Sequence, residues 1–126
     1  YYNCTKKELK YVNAGHNYPL LINNNNSIAL NKGCVGLGMF DELPAVEMEV
    51  INVSSNDILI CYTDGLVELE NEEDEQFETT RLTNVIYENF NLSMKDLNHL
   101  IFFELERFKG TKTLLDDTAV LSCRFF

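Results

Sequence analysis

An α+β domain built on antiparallel strands is what this sequence predicts. Two observations carry that expectation. Short apolar runs separated by turn signals fill most of the chain, as in sheets built from hairpins. Two segments with helical spacing come late and in succession, so helices are segregated from strands and do not alternate with them. The length, 126 residues, suits one domain and is short for two.

Tyr1 to Cys4 and Leu9 to Asn13 bracket the polar turn Thr5-Lys6-Lys7-Glu8, which reads as a hairpin. Ala14-Gly15-His16-Asn17 interrupts, and Tyr18 to Ile22 continues as strand. The tract Asn23 to Asn26 fits a hairpin tip, because asparagine tolerates positive φ, and Ser27 to Leu30 returns as a short strand. Gly33, Gly36 and Gly38 imply unusual φ or close backbone approach. Their spacing matches neither GxGxxG nor GxxxxGKS/T, and no helix clearly follows, so a structural role outweighs nucleotide binding.

Glu47 to Val53 and Asp57 to Tyr62 read as strands joined by the turn Ser54-Ser55-Asn56. Glu70 to Glu78 is strongly acidic. It lacks the DxDxDG pattern of a calcium loop and reads as a solvated acidic loop. Leu82, Val85 and Ile86, flanked by Phe77 and Phe90, predict a helix from about Phe77 to Asn89. Ser93 and Asp96 form a capping pair for a second helix. Its apolar stripe is Leu97, Leu100, Ile101, Leu105 and Phe108, and Gly110 is a natural stop. Thr118 to Phe126 reads as a last, buried strand.

Composition excludes some functions. The formal net charge is −10, which disfavours nucleic acid, because binding it requires neutralising phosphates with Lys and Arg. Cys4, Cys34, Cys61 and Cys123 are scattered singly, with no zinc-ligand spacing. Cys61 and Cys123 sit in apolar runs and read as reduced core residues, which favours a cytoplasmic setting. No apolar stretch approaches the ~20 residues of a membrane span, so no membrane contact is expected from this segment, and no signal peptide is visible. The sequence opens at Tyr1 directly in strand-like residues, which suggests part of a longer protein.

The chemistry concentrates at two strand ends. Asp64-Gly65 closes the run Ile58 to Tyr62, and Asp116-Asp117 opens the run from Thr118. If those strands are antiparallel neighbours, the end of one lies beside the start of the other. The carboxylates then meet at one edge and repel unless a cation sits between them. Oxygen ligands select Mg²⁺, Mn²⁺ or Ca²⁺. Asp64 reads equally as a turn residue, since Asp-Gly is a favoured hairpin dipeptide. His16 reads as a general base or, with more weight, as a histidine whose ring bonds backbone in a turn. His99 reads as a helix-surface residue. Ser54 and Ser55 lack the context of a nucleophile. Asp41 and Asp57 are the reserve carboxylates.

Several segments together resemble one family. Asn13-Ala14-Gly15-His16-Asn17-Tyr18-Pro19-Leu20-Leu21 resembles the NAGHNPPLL segment of SpoIIE-like and RsbU-like bacterial serine phosphatases. Val35-Gly36-Leu37-Gly38 resembles their PLG turn, and Ile60 to Glu68 resembles LYTDGVTE. Asn71 and Phe77 fall where the family has N…GE.FG, and Asp116-Asp117 resembles the closing DDIT strand. Ala119 stands where the family usually has Thr, and Glu78 where it usually has Gly.

The resemblance implies a metal-dependent (PPM, type 2C) phosphatase, with a β-sandwich flanked by helices and Mn²⁺ or Mg²⁺ as cofactor. Two ions in such enzymes activate a water that attacks phosphorus directly. It implies Asp64 and Asp116 as metal ligands, Asp117 as their neighbour and Gly65 as the cofactor-binding position. The implied substrate is a phosphoserine or phosphothreonine on a regulatory protein of the anti-sigma-factor-antagonist type. No segment here matches the family's first metal motif, whose Asp bridges both ions. Residues 1–126 then read as one partial domain, the C-terminal portion, inactive or nearly so alone and with a sheet edge open to pairing, as in a homodimer. The alternative is a non-catalytic partner-binding module on a degenerate phosphatase fold.

Overall fold

The computed structural model describes every residue except Asn25, Pro44, Leu114 and Leu115. The chain divides into two compact units, Tyr1–Leu59 with Arg124–Phe126, and Ile60–Cys123.

The first unit carries β1 (Tyr2–Asn3), β2 (Glu8–Tyr11), β3 (Asn13–Ala14), β4 (Leu20–Ile22), β5 (Ser27–Ala29), β6 (Gly33–Cys34) and β7 (Glu49–Asn52). β1 and β2 form the expected antiparallel hairpin, with Tyr2 opposite Leu9. Asn3 builds its turn: Oδ1 accepts from Thr5 N at 3.1 Å and Lys6 N at 3.0 Å. β7 pairs antiparallel with β2, and β4 pairs antiparallel with β5. At the tip between β4 and β5, Asn23 Oδ1 accepts from Asn26 N at 2.9 Å. Asn25, in the same predicted tip, lies outside the described residues. β3 and β6 pair in parallel, an exception to the antiparallel expectation. Leu9 of β2 and Leu21 of β4 share a core with Leu30, Val53 and Phe125, which lie just past strand ends.

The second unit holds most of β8 (Ile58–Tyr62), then α1 (Asp64–Val67), α2 (Glu78–Glu88), α3 (Met94–Lys109) and most of β9 (Val120–Arg124). The strand order β5-β4-β8-β9 places β9 at an edge. Thr63 N donates to Ala119 O at 3.2 Å, and Phe125 N donates to Asp57 O at 2.9 Å. Rising numbers on one strand thus meet falling numbers on the other, so β8 and β9 are antiparallel. β8 is buried at Ile58, Ile60 and Tyr62.

β9 corrects the expectation of a buried strand. It alternates half-buried and exposed residues, with Leu121 67% exposed. An edge strand has one neighbour, and the face bearing Leu121 and Cys123 meets no packing layer among the described residues. Cys123 is therefore exposed and Cys61 half-buried, not core residues, and both thiols are free.

The two predicted helices form with the predicted boundaries. Leu82 and Ile86 of α2 and Leu97, Ile101 and Leu105 of α3 are buried. Phe77 meets Phe108 edge-on at 5.3 Å, and the Arg81 guanidinium lies 4.8 Å above the Phe108 ring. Ser93 Oγ accepts from Asp96 N at 3.1 Å and donates to the Asp96 carboxylate at 2.6 Å, which caps α3. Gly110 ends it at φ 62°. A third helix, α1, was not expected. It spans only Asp64–Val67 and turns the chain at the end of β8. No helix among the described residues is long and apolar enough to cross a membrane.

Glu78 opens α2 at φ 63°. That is the left-handed region, and it explains why the family usually places glycine there. Left-handed backbone costs a residue with a Cβ roughly 1–2 kcal/mol. Glycine's extra unfolded-state freedom takes back about 0.5–1 kcal/mol. Glu78→Gly should therefore raise stability by about 0.5–1 kcal/mol, read as a higher thermal midpoint. A lower midpoint would contradict the strain.

Candidate metal centre

The candidate centre lies within the second unit, where β8 runs into α1 and residues 116–119 lead into β9. Thr63 holds this corner together. Its backbone is extended (φ −82°, ψ 159°), and its side chain makes no cap bond to α1. Instead Thr63 Oγ1 donates to Asp117 O at 2.8 Å and accepts from Ala119 N at 2.9 Å. Thr118 Oγ1 donates to Gly65 O at 3.4 Å. Asp64 O accepts from Glu68 N at 2.9 Å, closing the single turn of α1. Thr63 had no role in the sequence reading. Its signals are its place in the segment that resembles LYTDGVTE and its position immediately before Asp64.

Gly65 is where two pieces of backbone touch. A Cβ there would lie 2.7 Å from Asp117 O and 3.2 Å from both the carbonyl carbon and Cβ of Asp116. Only glycine lets the Asp116-Asp117 segment come this close to the start of α1. The approach brings the neighbours of Asp64 against Asp116 and Asp117. Asp64 therefore belongs to a strand-to-helix turn and not to a hairpin.

All three carboxylates are exposed at this corner. Asp64 Oδ1 accepts from Gly65 N at 3.1 Å, and Asp116 Oδ1 accepts from Asp117 N at 2.7 Å. Among the described residues, no Lys, Arg or His pairs with any of the three. Each Asp bond is to an amide next in sequence, which leaves carboxylate oxygens open to a cation. The donor chemistry and the glycine cradle fit a hard ion. The set is incomplete: no three His, Cys, Asp or Glu side chains converge at ligand spacing among the described residues.

The other candidate residues bond locally or are exposed. His16 Nδ1 bonds Asn17 O at 2.7 Å, and its backbone N donates to Asn13 Oδ1 at 2.8 Å, so the ring sits in a backbone-bonded turn. A cleft of about 580 Å³ opens beside it, lined by Asn13, Asn17, Tyr18 and Glu47 among others. Glu47 is already held by Lys32 at 2.9 Å. His99 is exposed on α3. Asp57 Oδ2 accepts from Ser54 N at 2.8 Å and serves the turn before β8, and Asp41 is exposed in a bend. Burial, with the nearby Cys123, pushes the Cys61 thiol up, which suits an inert thiol and not a nucleophile.

No curated protein matches the chain. Among solved structures, the SiaA-PP2C domain of Pseudomonas aeruginosa is similar at a TM-score of 0.79 with 14% identity, covering 96% of this chain and 48% of that one. The RsbU and RsbW domains of a Mycobacterium tuberculosis protein give 0.72 with 23% identity, covering 94% and 32%. The PP2C phosphatase domain and regulatory fragment of SpoIIE from Bacillus subtilis gives 0.73 with 16% identity, covering 95% and 34%. The chain thus spans about half or less of these solved chains, and it shares their phosphatase-type fold of helices and antiparallel sheets. The family model for stage II sporulation protein E (SpoIIE) matches residues 1–126, and the chain belongs to that family.

Proposed function

We propose that this chain supplies part of the metal centre of a protein-serine/threonine phosphatase. The observation that carries the reading is the corner itself: the Asp116-Asp117 segment lies against Gly65, which admits no Cβ, beside Asp64, and none of the three carboxylates pairs with a cation among the described residues. Family membership supports the reaction class. A solved SpoIIE phosphatase domain from Bacillus subtilis was presoaked with Mn, which supports the choice of ion.

In this reading Asp64 and Asp116 are the ligands, with Asp117 beside them. Gly65 is the position that keeps backbone close to the ion. A bound Mn²⁺ or Mg²⁺ would lower the pKa of water and neutralise phosphoryl oxygens. The chain's own contribution is charge and placement. Thr63 ties the two carboxylate-bearing segments together, and α1 turns the chain so that Asp64 leaves the strand at the rim. Ligands beyond this corner complete the site in the natural protein, since these 126 residues match no further metal motif of the family. The proposed substrate is a phosphoserine or phosphothreonine of a regulatory protein, of the anti-sigma-factor-antagonist type.

The test is hydrolysis of a phosphoserine peptide by the natural protein, with Mn²⁺ and with excess chelator. Release of phosphate should require Mn²⁺ and stop on chelation. The 126-residue chain alone should turn over little, since fewer than three ligands leave a hard ion heavily hydrated. Metal-independent behaviour of the natural protein, without any hydrolysis, would favour the non-catalytic binding module.

A further inference from the structure

The acidic segment Glu70 to Glu78 is not merely solvated. It folds into a small closed loop. Leu69 O accepts from Phe77 N at 2.8 Å, Glu70 bridges Gln76, and Asn71 N donates to Glu75 O at 2.9 Å. Asn71 is buried, and its Oδ1 accepts from Glu73 N at 3.0 Å and Glu75 N at 2.9 Å. This preformed loop grips the chain just after α3. Glu72 Oε1 accepts from Thr111 N at 3.1 Å and from Thr111 Oγ1 at 2.5 Å. Lys112 Nζ donates to Glu70 Oε2 at 3.2 Å and also to Asp74. At Gly110 a Cβ would meet the Glu72 carboxylate at 3.1 Å, so the fit is tight.

The gripped residues stand close before Asp116. Lys112, Glu70, Gly65 and Asp116 line one cavity of about 190 Å³. We propose that the Glu70–Asp74 loop is a clamp that positions Asp116 and Asp117, with Lys112 and Thr111 as its grip. The inference rests on the metal-centre reading above. Lys112 and its partners are positioning residues and need not touch substrate.

The bonds of the grip favour the charged forms of its members. The Asp74 hydrogen bond raises the Lys112 ammonium, with Glu70 adding to it, and the Asp74 carboxyl is lowered in turn. Thr111 lowers the Glu72 carboxyl. The carboxylates' contribution is present above their ordinary range and is lost as pH falls through the lowered values. The lysine's contribution is lost only as pH rises through its raised value.

Lys112→Met separates positioning from simple electrostatics, because the two predict opposite signs. Removing a positive charge near a cation site strengthens cation binding by Coulomb's law. Loosening a positioning group weakens it, by roughly tenfold or more for outer partners of metal ligands. The experiment measures Mn²⁺ binding by electron paramagnetic resonance and amide hydrogen exchange by NMR, on wild type, Lys112→Met and Lys112→Arg.

The clamp predicts weaker Mn²⁺ binding in Lys112→Met, by about tenfold, and recovery in Lys112→Arg. It also predicts faster exchange at Thr63 and Ala119, whose amides bond across the corner, with Leu97 and Ile101 of α3 unchanged. Tighter Mn²⁺ binding in Lys112→Met, or unchanged exchange at Thr63 and Ala119, would overturn the clamp. If wild type binds no Mn²⁺, the metal-centre reading of this chain fails, and the exchange result alone decides the clamp.

Discussion

Asp64→Asn should reduce Mn²⁺-dependent phosphatase activity of the natural protein by roughly a hundredfold or more. That is the upper end of the loss seen when only an outer partner of a metal ligand is removed. Asparagine keeps the size of the side chain and can still accept from Gly65 N, the 3.1 Å bond that Asp64 makes now. What it removes is the charge that draws a hard ion. Folding should therefore change little, because Asp64 is exposed and pairs with no cation among the described residues. The informative comparison is activity against Mn²⁺ concentration. Partial recovery at high Mn²⁺ is the expected signature of a weakened ligand. Full activity at limiting Mn²⁺, with wild-type stability, would reduce Asp64 to a turn residue.

Gly33→Ala should cost about 3 kcal/mol of stability, at the large end of single substitutions. A Cβ at Gly33 would lie 1.7 Å from Asn13 O, and 2.5 and 2.6 Å from Asn13 C and N. Every nearby atom is backbone, so no side chain can move aside. The parallel pairing of Asn13 with Gly33 would open. With it would go the bond from Asn13 N to Lys32 O at 2.8 Å and that from Glu47 N to Gly33 O at 3.0 Å. Gly38→Ala is the control. Its Cβ meets nothing within 4 Å, though its φ of 85° still penalises a side chain by roughly 1–2 kcal/mol. Denaturant titration should rank the two clearly. A Gly33→Ala loss no larger than that of Gly38→Ala would mean that the close approach relaxes at little cost.

Local chemistry made much of this fold readable. Ser93 with Asp96, and Gly110, marked the ends of α3 because capping is a bond between near neighbours. The glycine cluster read as unusual φ or close backbone approach, which holds for Gly38 (φ 85°) and Gly33, although nothing in sequence named Asn13 as what Gly33 touches. α1 was missed because four residues cannot display a helical period, and Asp-Gly is a common hairpin pair. β9 was misjudged because an apolar run shows that a strand can be buried, not whether a layer covers it. The acidic loop was undervalued because its partners, Thr111 and Lys112, lie 38 to 42 residues away. At the corner, the approach of the Asp64-Gly65 and Asp116-Asp117 segments was legible from strand ends alone. Thr63 was not, since its bonds to Asp117 and Ala119 depend on register.

Those Thr63 bonds also bear on the order in which the molecule assembles. They join residues 54 and 56 positions apart. α2 and α3, by contrast, are separated by five residues and can meet early. Closing a loop of more than fifty residues costs entropy before any contact at its ends compensates. Such contacts tend to form late in folding and to give way early in unfolding. Substitutions in the Thr63 corner should therefore speed unfolding while leaving the refolding rate almost untouched, and those in the α2–α3 pair should slow refolding. An ion bound at this corner would act as a lock applied after folding, prolonging the folded lifetime without hastening its arrival.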